Sequence, residues 1–422
     1  MTVYTLIVGL LGLLGLLTVT AWSPHQYPTA PTNTHEQHSV RVVSRKGFFQ
    51  EAAGAALVST AVVSGIGVEG AQAASASTST STSTNANFNN VYEPPRGSQN
   101  GRVIIITGAS SGLGLESAKR LAAAGATTIL TARTTQKGTQ AVSEVQQYLK
   151  ERSVDNSNVY SVTLNLDDFE SVKSFPQRYQ QILPLKQMKI DVLMNNAGVA
   201  AIPTREVTQD GFERTFQTNH LGHFFYLTAL LLPYLNQQQG ASVINISSTA
   251  HRYSMISETG KQGLDMNNLN SEIDYQAQGW ASYGRSKLEN ILFTQELQRR
   301  ADSAGMKWLT TASLHPGVVG TDIWRTSYVG NKPGDGSIVS SLQALSSTLF
   351  YKSVLSTEEG ANTQVWLASL TNNDGDNNHV KGKYFDEHRK AAKLGEFAED
   401  REKARLLWEK SEELTGVRFK FE

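Results

Sequence analysis

The sequence predicts an α/β domain built on a doubly wound parallel sheet. Three observations carry that expectation. Short apolar, β-branched runs alternate with helical patterns; the first run empties into a glycine-rich turn; and later runs end in Asn-Asn-Ala-Gly or in Ser-Ser.

Arg102–Ile106 has the continuous apolarity of a strand buried on both faces, and it leads into Thr107-Gly108-Ala109-Ser110-Ser111-Gly112-Leu113-Gly114. A helical pattern follows through Glu116, Ala118, Leu121 and Ala124, closed by Gly125. Strand, glycine turn and helix form the setting in which a backbone approaches a pyrophosphate at a helix N-terminus, the Rossmann arrangement. The spacing is G-x-x-x-G-x-G, not the common G-x-G-x-x-G; a tight left-handed loop is the alternative reading. The second strand, Thr127–Ala132, ends at Arg133, and no Asp or Glu occurs between Ser117 and Ser143. An acidic residue near this strand end would accept ribose hydroxyls. Arg133, with Lys137 downstream, is placed to pair with a 2′-phosphate, so NADP(H) is expected over NAD(H). A solvated loop charge is the plainer reading of Arg133.

Ile190–Met194 reads as a fourth strand, delivering Asn195-Asn196-Ala197-Gly198. Phe212 to Leu235 is a long helical pattern containing Thr218-Asn219-His220-Leu221-Gly222-His223-Phe224. Ser242–Ile246 is a fifth strand with Ser247 and Ser248 at its C-terminal end, where open α/β sheets place ligands. Tyr283-Gly284-Arg285-Ser286-Lys287 then sets a tyrosine and a lysine one helical turn apart. A phenol with a pKa of about 10 is a poor base at neutral pH, and Lys287 is placed to supply the cation that would lower it. A sixth strand, Leu309–Leu314, runs into His315-Pro316-Gly317.

The chain of 422 residues carries 38 basic and 38 acidic side chains and no cysteine. Zero net charge argues against a nucleic-acid partner, because no long-range positive field is available. Without cysteine, disulfides, thiolate catalysis and Cys-ligated metal sites are excluded.

The front quarter reads as targeting sequence. Residues 1–21 have no charge and a nearly continuous apolar stretch interrupted by glycines at 9, 12 and 15, a secretory signal core. An uncleaved anchor in the endoplasmic reticulum membrane is the rival reading, and would give the chain a membrane contact. Residues 22–73 form a second targeting segment, with Arg41, Arg45 and Lys46, a small apolar block at 52–68 and a small-x-small end at Ala71-Gln72-Ala73. Together these resemble the bipartite leader of algae whose plastids lie inside the endomembrane system. Ser44-Arg45-Lys46-Gly47-Phe48-Phe49 resembles a twin-arginine export signal with one Arg replaced by Lys. Plastid import is therefore expected, with onward transfer to the thylakoid as one branch. Residues 74–99, rich in Ser, Thr and Asn, are expected to be a disordered linker. Residues 100–422 are left as a single catalytic domain.

In order, the Thr-Gly-x-x-x-Gly-x-Gly turn, Asn-Asn-Ala-Gly, the strand-end serine and Tyr-x-x-x-Lys resemble the short-chain dehydrogenase/reductase family over about residues 100–420. The chain is most similar to the branch of retinol dehydrogenases, WW-domain oxidoreductases and light-dependent protochlorophyllide reductase. Thr218 to Phe224, Ser286-Lys287-Leu288-Glu289-Asn290, Glu358-Glu359-Gly360-Ala361 and Gly382-Lys383-Tyr384-Phe385 carry that closer likeness.

The resemblance implies Tyr283 as general acid in carbonyl reduction and Lys287 as its pKa-lowering partner on the nicotinamide ribose. It implies Ser248 as hydrogen-bond donor to the carbonyl oxygen and Asn219 as anchor of a water-mediated proton relay. For the cofactor it implies contacts from Gly108, Ser110, Ser111, Gly112, Leu113, Gly114, Arg133, Asn165, Leu166, Asn196, Ala197, Gly198, Tyr283, Lys287, Pro316, Gly317 and Val319. For Ser248 the alternative is a plain strand-end hydroxyl, and for Asn219 a helix kink or satisfied core amide. His220 and His223 read as structural, and no metal is expected. Two departures stand out: Asn165 replaces the family's usual Asp near the adenine, and the cysteines characteristic of protochlorophyllide reductases are missing.

Tyr253, Met255, Tyr275 and Trp280, with the aromatics of residues 323–351, suit a bulky apolar carbonyl or alcohol such as a retinal-like or isoprenoid aldehyde. Packing of C-terminal helices would explain them equally. Ala398 to Leu414 reads as a docking or dimer helix, which makes a homodimer a partner to test. The expected activity is an NADPH-dependent oxidoreductase on CH–OH or C=O groups. Pigment double-bond reduction is the rival within the class, and a non-catalytic dinucleotide-binding scaffold the rival from outside it.

Overall fold

The structure, a computed structural model, describes residues 91–421 apart from 157, 183–188, 255–262, 274, 276–278, 321–322, 324–354 and 372–378. The targeting segments, most of the expected linker, Met255 and the aromatics of 323–351 lie outside the described residues.

Seven parallel strands form one sheet in the order β3-β2-β1-β4-β5-β6-β7. They are β1 (Val103–Ile106), β2 (Thr127–Ala132), β3 (Val159–Thr163), β4 (Val192–Asn195), β5 (Ala241–Ile246), β6 (Leu309–Leu314) and β7 (Lys383–Phe385). The order reverses between β1 and β4, so the crevice at their C-terminal ends is the topological switch point where such sheets take ligands. Both faces are covered, which is why β1 reads as a continuous apolar run. Ile104, Ile106, Leu130, Met194 and Ile244 belong to one core layer, with α1 (Gly112–Ala123), α2 (Thr135–Glu151) and, later in the chain, Val365 and Leu367. Ile105, Ile129, Leu193 and Val243 belong to the other, with Leu227 and with Phe293 and Leu297 of α3 (Trp280–Ser303).

The fold departs from the sequence expectation in three places. The stretch expected as one regular helix is α-helical at Arg214–Phe216, a π-helix at Gln217–Leu227, α-helical again at Thr228–Leu231 and 3₁₀ at Leu232–Tyr234. Apolar periodicity does not distinguish these windings. The wider turn brings Gly222 against β3's exit, where a Cβ would stand 2.5 Å from the Leu166 carbonyl oxygen.

Residues 91–99, assigned above to the linker, belong to the fold. Tyr92 N donates to Asn362 Oδ1 at 2.8 Å, and buried Gln99 donates to the Ser369 carbonyl at 3.1 Å. The tether is polar, so a search for apolar periodicity passes over it.

The C-terminal helix begins at Arg401, capped by Asp400, and ends at Thr415 against left-handed Gly416. Its apolar side docks on its own domain: Trp408 is buried and stacked on Phe293 at 5.6 Å, and Ser411 bonds His220. That face is already covered and is not available to a second copy. Among the described residues no helix is long and apolar enough to cross a membrane.

Candidate functional site

Six strand ends build the site. After β1, Gly108 and Gly112 take positive φ, 62° and 57°. A Cβ on Gly108 would sit 2.8 Å from the Ala197 Cβ, so the glycine turn lies directly on the Asn-Asn-Ala-Gly turn after β4. Thr107 fastens the two together. Its hydroxyl oxygen accepts from Asn196 N at 2.9 Å and Ala197 N at 3.0 Å, and lies 2.5 Å from His223 Nε2. The hydroxyl also donates to the Met194 carbonyl at 3.3 Å. The His223 ring is neutral, since burial holds it well below the usual imidazole value. His220 is likewise buried and pushed down to about 3, bonded to Ser411 and stacked on Phe216.

The helix α1 starts at Gly112 with no side-chain cap on its N-terminus and no acid in its first turn. Its first amides are therefore open to an anion, with Ser110, Ser111, Leu113 and Gly114 around them. At the end of β2, Arg133 is exposed, and Thr134 caps α2 by accepting from Lys137 N. Past β3, Asn165 Oδ1 accepts from Asp167 N at 3.3 Å, and Leu166 is buried.

Of the two serines after β5, Ser247 is buried and donates to the Lys287 carbonyl at 2.7 Å. Ser248 is hydrogen-bonded through its side chain to the Tyr283 phenol, and its Oγ also accepts from Ala250 N at 3.1 Å. Lys287 Nζ donates to the Ile246 carbonyl at 3.0 Å and lies 5.5 Å from the Tyr283 ring centre. Gly198 opens onto this point: a Cβ there would be 3.6 Å from Lys287 Nζ and 3.2 Å from Asn219 Oδ1. Asn219 is committed in the π-helix. Its Oδ1 accepts from Val199 N, and its Nδ2 donates to Val199 O and Ser286 Oγ, each at 2.9 Å. The satisfied-amide alternative thus describes its side chain, which positions the turn after β4.

The charge balance corrects one expectation. Lys287 was expected to pull the tyrosine pKa down. Burial is instead the largest influence on both groups, pushing Tyr283 up to about 12 against the Ser248 hydrogen bond and Lys287 down to about 7. The Trp280 ring packs edge-on against Tyr283 at 6.0 Å, and Tyr275 donates to the Ile202 carbonyl at 2.7 Å.

After β6, Gly317 has φ 80°, and Val319 bridges to Leu355. Here the structure adds residues for which the sequence suggested no role. On α4 (Thr357–Gly360), a Cβ on Gly360 would lie 2.4 Å from Val319 and 3.0 Å from Leu113. On α5 (Asn362–Ser369), buried Gln364 Nε2 donates to Ser117 Oγ at 2.7 Å, Leu113 O at 3.2 Å and Asn196 Oδ1 at 3.3 Å. The Glu-Glu-Gly-Ala run was the one visible signal, seen as a likeness without a function.

The profile described as short chain dehydrogenase matches residues 102–260. Mouse retinol dehydrogenase 12 is 35% identical over 319 residues, covering 76% of this chain and 88% of that protein. WW domain-containing oxidoreductase from Pongo abelii is 35% identical over 323 residues, covering 75% and 69%. An uncharacterised protein from Mycobacterium paratuberculosis has a crystal structure that aligns with a TM-score of 0.55 at 30% identity, covering 78% of this chain and all of that one.

Proposed function

The chain belongs to the short-chain dehydrogenase/reductase family, whose fold binds a nicotinamide dinucleotide, and on that premise we propose an NADPH-dependent oxidoreductase of bulky apolar carbonyls or alcohols. The observation that carries the reading is the Ser248–Tyr283–Lys287 group, half-buried Ser248 after β5 facing buried Tyr283 and Lys287 of α3, with Trp280 edge-on beside the phenol. The uncapped, acid-free start of α1 fits a diphosphate, and exposed Arg133 at an acid-free strand end fits a 2′-phosphate. Ser110, Ser111, Gly112, Leu113 and Gly114 would hold the former. Asn165 and Leu166 would border the adenine, and Asn196, Ala197, Gly198, Pro316, Gly317 and Val319 the nicotinamide half. When bound, the nicotinamide supplies or takes the hydride.

The protein's own part is proton handling and orientation. Tyr283, kept protonated by burial, gives its proton to the carbonyl oxygen, while Ser248 donates a hydrogen bond to that oxygen as charge develops. Lys287 stands one turn away to hold the ribose hydroxyls and restore the phenol proton. Asn219 fixes Val199 and, through it, the turn beneath. The retinol dehydrogenases among the relatives, with Trp280 and Tyr275 at this end of the site, favour a retinal-like or isoprenoid substrate.

The test is NADPH oxidation in the dark against apolar aldehydes and ketones, wild type beside Tyr283→Phe. Turnover that falls by roughly 10²–10⁴ in the variant supports the reading. Silence with every carbonyl, with turnover of protochlorophyllide in light, overturns it. Arg133→Asp should move the kcat/KM preference from NADPH towards NADH; an unchanged preference refutes the phosphate assignment.

The leader-like residues 1–73 support delivery to a plastid as part of the same proposal. A fluorescent fusion of residues 1–90 found in the endoplasmic reticulum or cytosol would refute it.

A further inference from the structure

His315 stands at the C-terminal end of β6, immediately before the Pro316-Gly317 turn. Its backbone N donates to the Phe385 carbonyl at 3.0 Å, which sets it beside the end of β7. There the chain makes a rigid turn. Asp386 Oδ1 accepts from His388 N and Lys390 N, both at 2.9 Å, its carbonyl accepts from Thr363 Oγ1 at 2.8 Å, and Arg389 is left-handed over the Tyr92 ring. That turn presses Glu387 onto Gly317: a Cβ on the glycine would lie 3.4 Å from the Glu387 Cβ.

His315 Nδ1 therefore has two neighbours with opposite requirements. Gly317 N lies 3.3 Å away and needs a lone pair; Glu387 Oε2 lies 3.2 Å away and needs a proton. One ring nitrogen cannot meet both at once. We propose that His315 is a proton-controlled positioning residue: the neutral ring holds the Gly317 amide through Nδ1, and the protonated ring gives that contact up for Glu387, loosening the Pro316–Val319 turn.

The surroundings are built for such an exchange. Glu387 and Asp386 favour the charged ring. Burial, the largest influence, opposes it together with Arg252 and His388, so the ring is held below the ordinary imidazole value. His251, which bonds the Ser248 carbonyl through Nδ1 and accepts from Gly395 N through Nε2, faces it as well. The Tyr384 ring lies between the two histidines, 5.5 Å from His315 and 5.1 Å from His251. The exchange would reach the cofactor because the turn is read above as part of the nicotinamide contact, and in that respect the inference rests on the dinucleotide reading.

Two measurements on the same proteins test it. Hydrogen exchange of the segment around Gly317 is followed in the free protein from pH 8 to pH 5, corrected for intrinsic rates, and NADP⁺ affinity is measured by calorimetry over the same range. In wild type the segment should lose protection and affinity should fall, each about 3- to 10-fold, as one backbone hydrogen bond is released. His315→Asn places a carbonyl oxygen near the Nδ1 position and should keep the segment protected at every pH. Glu387→Gln should move the onset to lower pH. The 2′-phosphate titrates in this interval too, so the affinity effect is the difference between wild type and His315→Asn. A His315→Asn profile identical to wild type in both measurements overturns the proposal. Exchange that behaves as expected in a protein that does not bind NADP⁺ upholds the latch and refutes the dinucleotide reading instead.

Discussion

Two residues beyond Lys287, Glu289 is a carboxyl group with no solvent exposure, and among the described residues neither of its oxygens receives a hydrogen bond. Its nearest cation, Arg285, is 3.6 Å away through Nε, too far for a hydrogen bond. The other nitrogens of that guanidinium serve the Asn268 carbonyl at 3.2 Å and Ser271 Oγ at 2.5 Å. Burial therefore outweighs the ion pair and pushes Glu289 up to about 8 from an ordinary 4.5, with Glu213 adding to the rise. Because the folded pKa is the higher, the folded state holds a proton between 4.5 and about 8 that the unfolded state has lost, so stability falls as pH rises through that window. Each pH step costs about 1.4 kcal/mol, which amounts to about 3 kcal/mol at pH 7. Glu289→Gln keeps the shape and removes the titration. Urea unfolding at pH 5, 6, 7 and 8 should show the variant equal to wild type within about 1 kcal/mol at pH 5 and more stable by roughly 3 kcal/mol at pH 7 and roughly 4 kcal/mol at pH 8, with the same m value. A variant less stable than wild type at pH 8 would show that Glu289 is ionised and truly paired with Arg285, and the reasoning would fail.

Lys287 carries the opposite sign. Its folded pKa is depressed from 10.5 to about 7, so the folded state binds fewer protons than the unfolded between those values and stability rises with pH across them. Lys287→Met should flatten that rise in unfolding curves from pH 7.5 to 9.5; an unaltered slope would mean the lysine stays charged in place. Gln364→Leu removes the only described side-chain donor to Asn196 Oδ1 and one of two described side-chain donors to the Leu113 carbonyl. A loss of about 1–3 kcal/mol is expected, read in steady-state kinetics as a rise of about tenfold in cofactor KM with kcat within about twofold. An equal fall in kcat with KM unchanged would place Gln364 in the chemical step. Gly360→Val would drive a side chain into Val319 and Leu113, and should weaken cofactor binding as well as lower the melting temperature; lost stability alone, with affinity intact, would count against coupling of α4 to the cofactor turns.

The parts of this protein that were legible in its sequence are those whose causes are local. β1 falls at Val103–Ile106, within the expected Arg102–Ile106, because a strand buried on both faces leaves an uninterrupted apolar run. β4 begins two residues later than its apolar run, since the Asp191 carboxylate accepts from Val103 N at 2.7 Å and the ladder starts beyond it. The choice of Ser248 over Ser247 rested on resemblance. In the structure Ser247 donates to the Lys287 carbonyl and Ser248 Oγ accepts from Ala250 N. What was hidden depends on contacts between distant parts of the chain. Gln364 reaches Asn196 across 168 residues, and His315 meets Glu387 across the β6–β7 pairing. The direction of the Tyr283 and Lys287 shifts was hidden for the same reason. Sequence shows that a cation is one turn from a phenol, and Coulomb's law then lowers the phenol pKa. Whether burial outweighs that attraction is decided by how Trp280, the π-helix and the ends of β4 and β5 close over the pair, and none of those distances is written in a Tyr-x-x-x-Lys spacing. A motif of this kind names the reacting groups, while the packing around them sets the protonation states in which they start.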